Sequence, residues 1–110
     1  MPHFMVQWRF TTDNFKSLVQ NPDSRVEAVR SGMEPFGGTL HHYFFALGEY
    51  DGVMIAEFPD QESCVAFLSM VAAKGGATAF RTTALIAPED GKRAFERAGR
   101  TANSYRPALS

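Results

Sequence analysis

The hydrophobic period of this chain switches between two and about 3.6 residues along its length, and the order of the switches leaves few architectures open. In residues 3–11, His-Phe-Met-Val-Gln-Trp-Arg-Phe-Thr, the side chains of Phe4, Val6, Trp8 and Phe10 fall on one face and those of Met5, Gln7 and Arg9 on the other, the pattern of a half-buried strand. Thr12 can cap a short helical turn carrying Phe15, Leu18 and Val19, which Asn21-Pro22 interrupts because proline disfavours helix at the residue before it. The helix restarts at Ser24-Arg25-Val26-Glu27, a capping-box spacing, and Val26, Val29 and Met33 continue at helical intervals until Pro35 and Gly37-Gly38 end it.

Residues 39–47 form an aromatic-rich strand, Gly48-Glu49-Tyr50-Asp51-Gly52 supplies a tight reversal, and residues 53–58 return as the second arm of a hairpin. Asp60 caps a second amphipathic helix, with Cys64, Phe67, Leu68 and Val71 on one face before Gly75-Gly76. Residues 77–87 read as a fourth strand, and Pro88 opens a weak C-terminal helix bearing Ala94, Phe95 and Ala98. The order strand, helix, strand, strand, helix, strand predicts an α+β, ferredoxin-like βαββαβ fold with sheet order 4-1-3-2 and both helices on one sheet face. The other face should be polar in a monomer. Instead strand two carries large groups in both alternating sets, Leu40/His42/Phe44 and His41/Tyr43/Phe45, and strand three does likewise with Val53/Ile55 and Met54/Ala56/Phe58. A second copy's sheet is the economical cover, so the expected partner is the chain itself, as a homodimer or higher homo-oligomer.

The 110 residues suit one domain, expected over residues 1–99 with a core in 1–88 and a short C-terminal helix, followed by a flexible tail at 100–110. Hydrophobic residues at 45% and charged residues at 21% exclude disorder of the whole chain, and no apolar run approaches the roughly 18 residues of a membrane span. The first four residues lack the features of a signal peptide, so the expected compartment is the cytoplasm, with no membrane partner. The single cysteine, Cys64, excludes an internal disulfide and a cysteine-based metal cluster. Residues 1–91 carry six basic and eleven acidic side chains, and residues 92–110 carry five basic and one acidic. An acidic body with a dispersed basic tail argues against a nucleic-acid partner, because phosphate neutralisation supplies most non-specific affinity.

Gly48-Glu49-Tyr50-Asp51, followed by Val53, Ile55, Glu57, Pro59 and Asp60, resembles the signature of the GYD domain family. The likeness extends over residues 4–88, through Trp8 and Thr11, residues 22–25, Gly37-Gly38 and Arg81-Thr82-Thr83. Phe44 and Ala46 depart from the tyrosine and threonine common in the family before the signature glycine, so a role tied to those hydroxyls does not carry over. The resemblance implies a dimeric α/β barrel of two ferredoxin-like sheets packed face to face, with Gly48, Tyr50 and Asp51 as the signature turn. It implies no particular activity, since related barrels include cofactor-free monooxygenases, isomerases and haem enzymes.

Candidate chemistry follows from hairpin register. With residues 49–51 as a three-residue loop, Gly48 pairs with Gly52, Tyr43 faces Glu57 and His41 faces Pro59. With strand one parallel to strand three, Arg9 approaches Glu57, and Arg81 approaches the same region. The expected small-molecule pocket is therefore Arg9, His41, Tyr43, Glu57 and Arg81, where Glu57 or His41 could act as base and an arginine could stabilise an enolate or phenolate. The competing reading is a partly buried ion pair at a dimer seam. No cofactor is expected, and no metal: His41 and His42 point to opposite faces unless a bulge intervenes, and His3 lies far from both in this topology. Cys64 and Trp8 read as core, and Tyr50 and Asp51 as turn and packing residues. Two function classes stay open, a barrel binding an aromatic or enolisable small molecule and a non-catalytic structural or stress-associated assembly protein. A ligand-sized cavity would separate them. An RNA-binding module shares the strand order, but the central strands lack its basic, aromatic signature.

Overall fold

A computed structural model describes residues 1–23 and 25–108. Strand β1, His3–Phe10, alternates as expected, with Phe4, Val6, Trp8 and Phe10 all buried. Thr11, one residue earlier than the sequence suggested, caps helix α1, Thr12–Gln20, its hydroxyl accepting from the Asn14 amide at 3.1 Å. Asn21 ends α1 ahead of Pro22, and α2 runs over Arg25–Met33; the capping role read for Ser24 lies outside the described residues. A 3-10 turn, Glu34–Phe36, carries Pro35 and closes on Gly37 at φ 71°, a left-handed conformation where a Cβ would also stand 2.8 Å from the Pro59 ring.

Strands β2, Thr39–Phe45, and β3, Gly52–Glu57, form the hairpin. Asp60 caps α3, Gln61–Ala73, by accepting from the Ser63 amide at 2.7 Å. Strand β4, Ala77–Leu85, is followed by α4, Pro88–Arg100, and a 3-10 turn at Ala102–Ser104. The sheet order is β2-β3-β1-β4, the anticipated 4-1-3-2 read from the other edge, and every pairing is antiparallel.

Helices cover one sheet face, and the core lies between. Met33 from α2 and Cys64 and Phe67 from α3 close over Phe4, Val6, Trp8, Met54, Ala56 and Phe58, with no buried charged or polar residue among the described residues. Burial pushes the Cys64 thiol pKa up, which suits a packed core group and not a nucleophile. On the second face Met5, Val53 and Ile55 are only half-buried. Helix α4 buries none of its residues and leaves Phe95 78% exposed. The molecule is correspondingly long, 60 × 31 × 21 Å, with a radius of gyration of 18.1 Å where a rounded domain of this size would have about 13 Å. No described helix is long and apolar enough to cross a membrane.

The structure differs from the expected topology in two respects. β1 runs antiparallel to β3, because in this strand order β1 and β2 are the parallel pair and β3 lies between them. The hairpin closes at Phe45↔Gly52, with the Ala46 amide donating to the Asp51 carbonyl at 2.8 Å, so its loop is longer than three residues and the register differs from the one inferred. At the closing position a Cβ on Gly52 would fall 2.4 Å from the Trp8 indole. Gly52→Ala should therefore force the buried indole aside and lower stability by about 1–3 kcal/mol in urea denaturation, whereas an unchanged midpoint would mean that Trp8 does not pack there.

Candidate functional site

An extra residue in β2 sets the geometry of both candidate sites. Leu40 pairs with Ala56 and His42 with Ile55, so two steps on β2 answer one on β3 and His41 is the bulged residue. Leu40 is buried on the helix side, opposite Ala56, and after the bulge the alternation inverts. His42 comes to the open face with Phe44, their rings stacked at 6.3 Å, while Tyr43 and Phe45 turn toward the helices, Tyr43 against Trp8 at 5.4 Å and Phe45 against Phe10 at 6.1 Å. The bulge thus separates residues that an unbroken strand would place together.

On the open face, His41 Nε2 lies 2.5 Å from Glu57 Oε1, and His3 Nε2 lies 3.2 Å from the same oxygen. The two imidazoles stack with centroids 5.4 Å apart and planes within 13°. His3 is here because antiparallel pairing sets the start of β1 opposite the end of β3, His3↔Glu57. The expectation that His3 lies far from His41 is corrected by that strand direction. The hydrogen bond with His41 is the main cause holding the Glu57 carboxyl below its ordinary pKa, with the charges of both histidines adding to it against partial desolvation.

Of the five residues expected to form one pocket, only His41 and Glu57 touch. Arg9 sits at the opposite end of β1, its Nε donating to the Glu49 carbonyl at 2.9 Å. Arg81 pairs with Gln7, four residues along β1 from His3 and on the far edge strand. Tyr43 faces the other side of the sheet. Among the described residues neither arginine makes an ion pair with Glu57, so the arginine-supported base inferred from the sequence is not assembled within the chain.

On the helix side, Tyr43 borders a cleft of about 390 Å³ between the sheet and helices α2 and α3. Trp8, Phe10, Met54 and Phe80 form its floor, Val29, Gly32, Phe67, Met70 and Val71 its apolar walls, and Arg25 and Lys74 bring positive charge to it. The Tyr43 hydroxyl is buried, with no hydrogen-bond partner among the described residues. Leaving such a group unpaired costs about 1–3 kcal/mol. Burial raises its pKa from 10.0 to about 12, partly offset by the Arg25 charge, so Tyr43 is a neutral donor. The register inferred from the sequence sets Tyr43 beside Glu57 and away from this cleft, and no local signal in the sequence singles out Arg25.

The signature turn is anchored to β1. Asp51 Oδ2 accepts from the Phe10 amide at 2.9 Å, and the Asp51 amide donates to the Trp8 carbonyl at 2.8 Å, tying the hairpin loop to β1 across the sheet. The family profile of the GYD domain matches residues 4–95. The chain belongs to the GYD domain family. No curated protein matches the sequence. Among solved structures the GYD domain is similar to FFRP-DM1, at 12% identity and TM-score 0.51 over 78% of this chain and 100% of that one. It is also similar to the transcriptional regulator NMB0573 of Neisseria meningitidis, solved with L-Met, at 11% identity and TM-score 0.53 over 79% of this chain and 51% of that one. At such identities the likeness is one of fold.

The buried hydroxyl makes a direct prediction. Tyrosinate absorbance followed with rising pH should show a group ionising near pH 12 that Tyr43→Phe removes. Because the folded pKa lies above the ordinary 10.0, the associated stability is present below pH 10 and is lost as pH climbs toward 12. A Tyr43 transition at 10.0 would put the hydroxyl in water.

Proposed function

We propose that this GYD domain binds a small aromatic or otherwise apolar molecule carrying an acceptor oxygen, in the cleft between sheet and helices, and that it works as a homo-oligomer. The observation that carries the reading is the unpaired Tyr43 hydroxyl, sealed in an apolar cleft beside Arg25. A carbonyl, phenolate or carboxylate oxygen would accept the Tyr43 proton and meet the guanidinium charge, while the ring or chain of the ligand would replace water against Trp8 and Phe67. Among the described residues the cleft lining holds no Asp, Glu or His. Proton abstraction by Glu57 or His41, the chemistry the sequence suggested, is not available to a ligand in this cleft, because both lie on the opposite face. The geometry supports binding ahead of enolisation or oxidation.

Trp8 is the sole tryptophan and lines the cleft, so its fluorescence reports occupancy. Aromatic carboxylic acids should quench it saturably, hydrocarbons of equal size should bind more weakly, and Tyr43→Phe should weaken the acids by roughly tenfold, the loss of one hydrogen bond near a charge. If no aromatic acid perturbs Trp8 and mass spectrometry of the purified protein releases no bound molecule, the cleft is not a binding site.

Assembly rests on the second sheet face, which carries Phe44, 60% exposed, beside Val53, with half-buried Ile55 and Met5 paired next to them. A second sheet laid on this face would remove that apolar surface from water. Sedimentation at micromolar concentration should give a dimer or larger species, and Ile55→Lys should shift it to a folded monomer. A wild-type monomer would overturn this part of the reading alone.

A further inference from the structure

We propose that His3, His41 and Glu57 form a binding site for a divalent transition-metal ion, with the two Nε2 atoms and the Glu57 carboxylate as ligands and the remaining coordination positions open to water or a small anion. The three ligand atoms come from three neighbouring strands and lie within 4.8 Å of one another. Zinc bonds to imidazole nitrogen and carboxylate oxygen measure about 2.0–2.2 Å, which sets donors in a tetrahedral shell roughly 3.3–3.5 Å apart. Two of the donor separations are shorter than that range, His41 Nε2 at 2.5 Å and His3 Nε2 at 3.2 Å from Glu57 Oε1, with both Nε2 atoms converging on the same oxygen from near-parallel rings. The His3↔Glu57 pairing and the bulge at His41 hold the three Cα positions in the sheet.

The donor set selects the ion class. Two imidazoles and one carboxylate suit zinc, cobalt or nickel, whereas calcium and magnesium prefer all-oxygen shells. Three protein ligands leave an open position, as in zinc sites that bind exchangeable water. The site differs from the Tyr43 cleft in face, residues and ligand chemistry, and stands whether or not that cleft is occupied. His42 shares the open face but stacks on Phe44, and Cys64 is buried under the helices, so neither belongs to the set.

Calorimetric titration of the full chain with Zn²⁺ should show one ion per chain with micromolar or tighter affinity, and Co²⁺ should give visible absorption of a nitrogen and oxygen shell without a thiolate band. His3→Ala, His41→Ala and Glu57→Gln should each weaken binding by at least about tenfold, while His42→Ala and Cys64→Ser leave it unchanged. The Co²⁺ complex of the wild-type protein should also shift the imidazole resonances of His3 and His41, a readout that does not depend on any variant folding. Absence of Zn²⁺ and Co²⁺ binding, affinity insensitive to His3→Ala and Glu57→Gln, or a thiolate band assigning Cys64 would each overturn the site.

Discussion

The extra residue in β2 is the constraint on which the rest of the molecule's chemistry depends. A strand obeys a two-residue alternation, so one inserted position reverses the facing of every residue beyond it. Before the bulge Leu40 points to the helices; after it His42 and Phe44 point to the open face, and Tyr43 and Phe45 join the core side. Without the insertion Tyr43 would stand on the open face and the cleft between sheet and helices would lose its tyrosine hydroxyl. His41, being the extra residue, is free of the ladder's alternation and reaches Glu57 beside His3.

The elements themselves were legible in the sequence because their signals are local. Periodicity, the Asp60 cap, the Asn21-Pro22 break and the glycines around the hairpin each depend on a few adjacent residues, and the strand order follows from their succession. The bulge is not local, since it is defined by a count against the partner strand. Its trace was visible all the same: both alternating sets of residues 40–45 carry large side chains, which an unbroken strand with one solvated face does not need. Part of that pattern records the reversal at His41, and part leaves apolar surface for a second sheet. The strand order itself makes β1 antiparallel to β3, which sets Arg9 at the end of β1 away from Glu57 and His3 beside it.

The two faces differ in the kind of electrostatic problem they pose. Glu57 on the open face is partly solvated and met by two imidazoles, so its charge is supported within the chain. Tyr43 on the helix side is neutral, desolvated and unpaired, so its demand is met only from outside the chain or not at all. Buried polar groups are retained at a cost in stability, and under the proposed function a ligand acceptor reached through the cleft would remove that cost. Arg25 sharpens the preference, because its charge lowers the pKa that burial raises and would favour an anionic acceptor next to the hydroxyl.

The signature turn links these sites without belonging to either. Asp51 bonds to the backbone of Trp8 and Phe10 through its own amide and carboxylate, and this pair of contacts fixes where β3 begins against β1. Gly52 then fits under the Trp8 indole, where no side chain could. Pairing propagates from that point along the ladder, Trp8↔Gly52 at one end and His3↔Glu57 at the other. A slip of one residue at the turn would turn Glu57 toward the helices and bury it among Phe4, Phe58 and Met33, at the cost of desolvating an unpaired carboxylate. The turn that defines the family therefore acts at a distance on chemistry, by holding the register that keeps one carboxylate on the open face beside two histidines and one tyrosine in the cleft behind them.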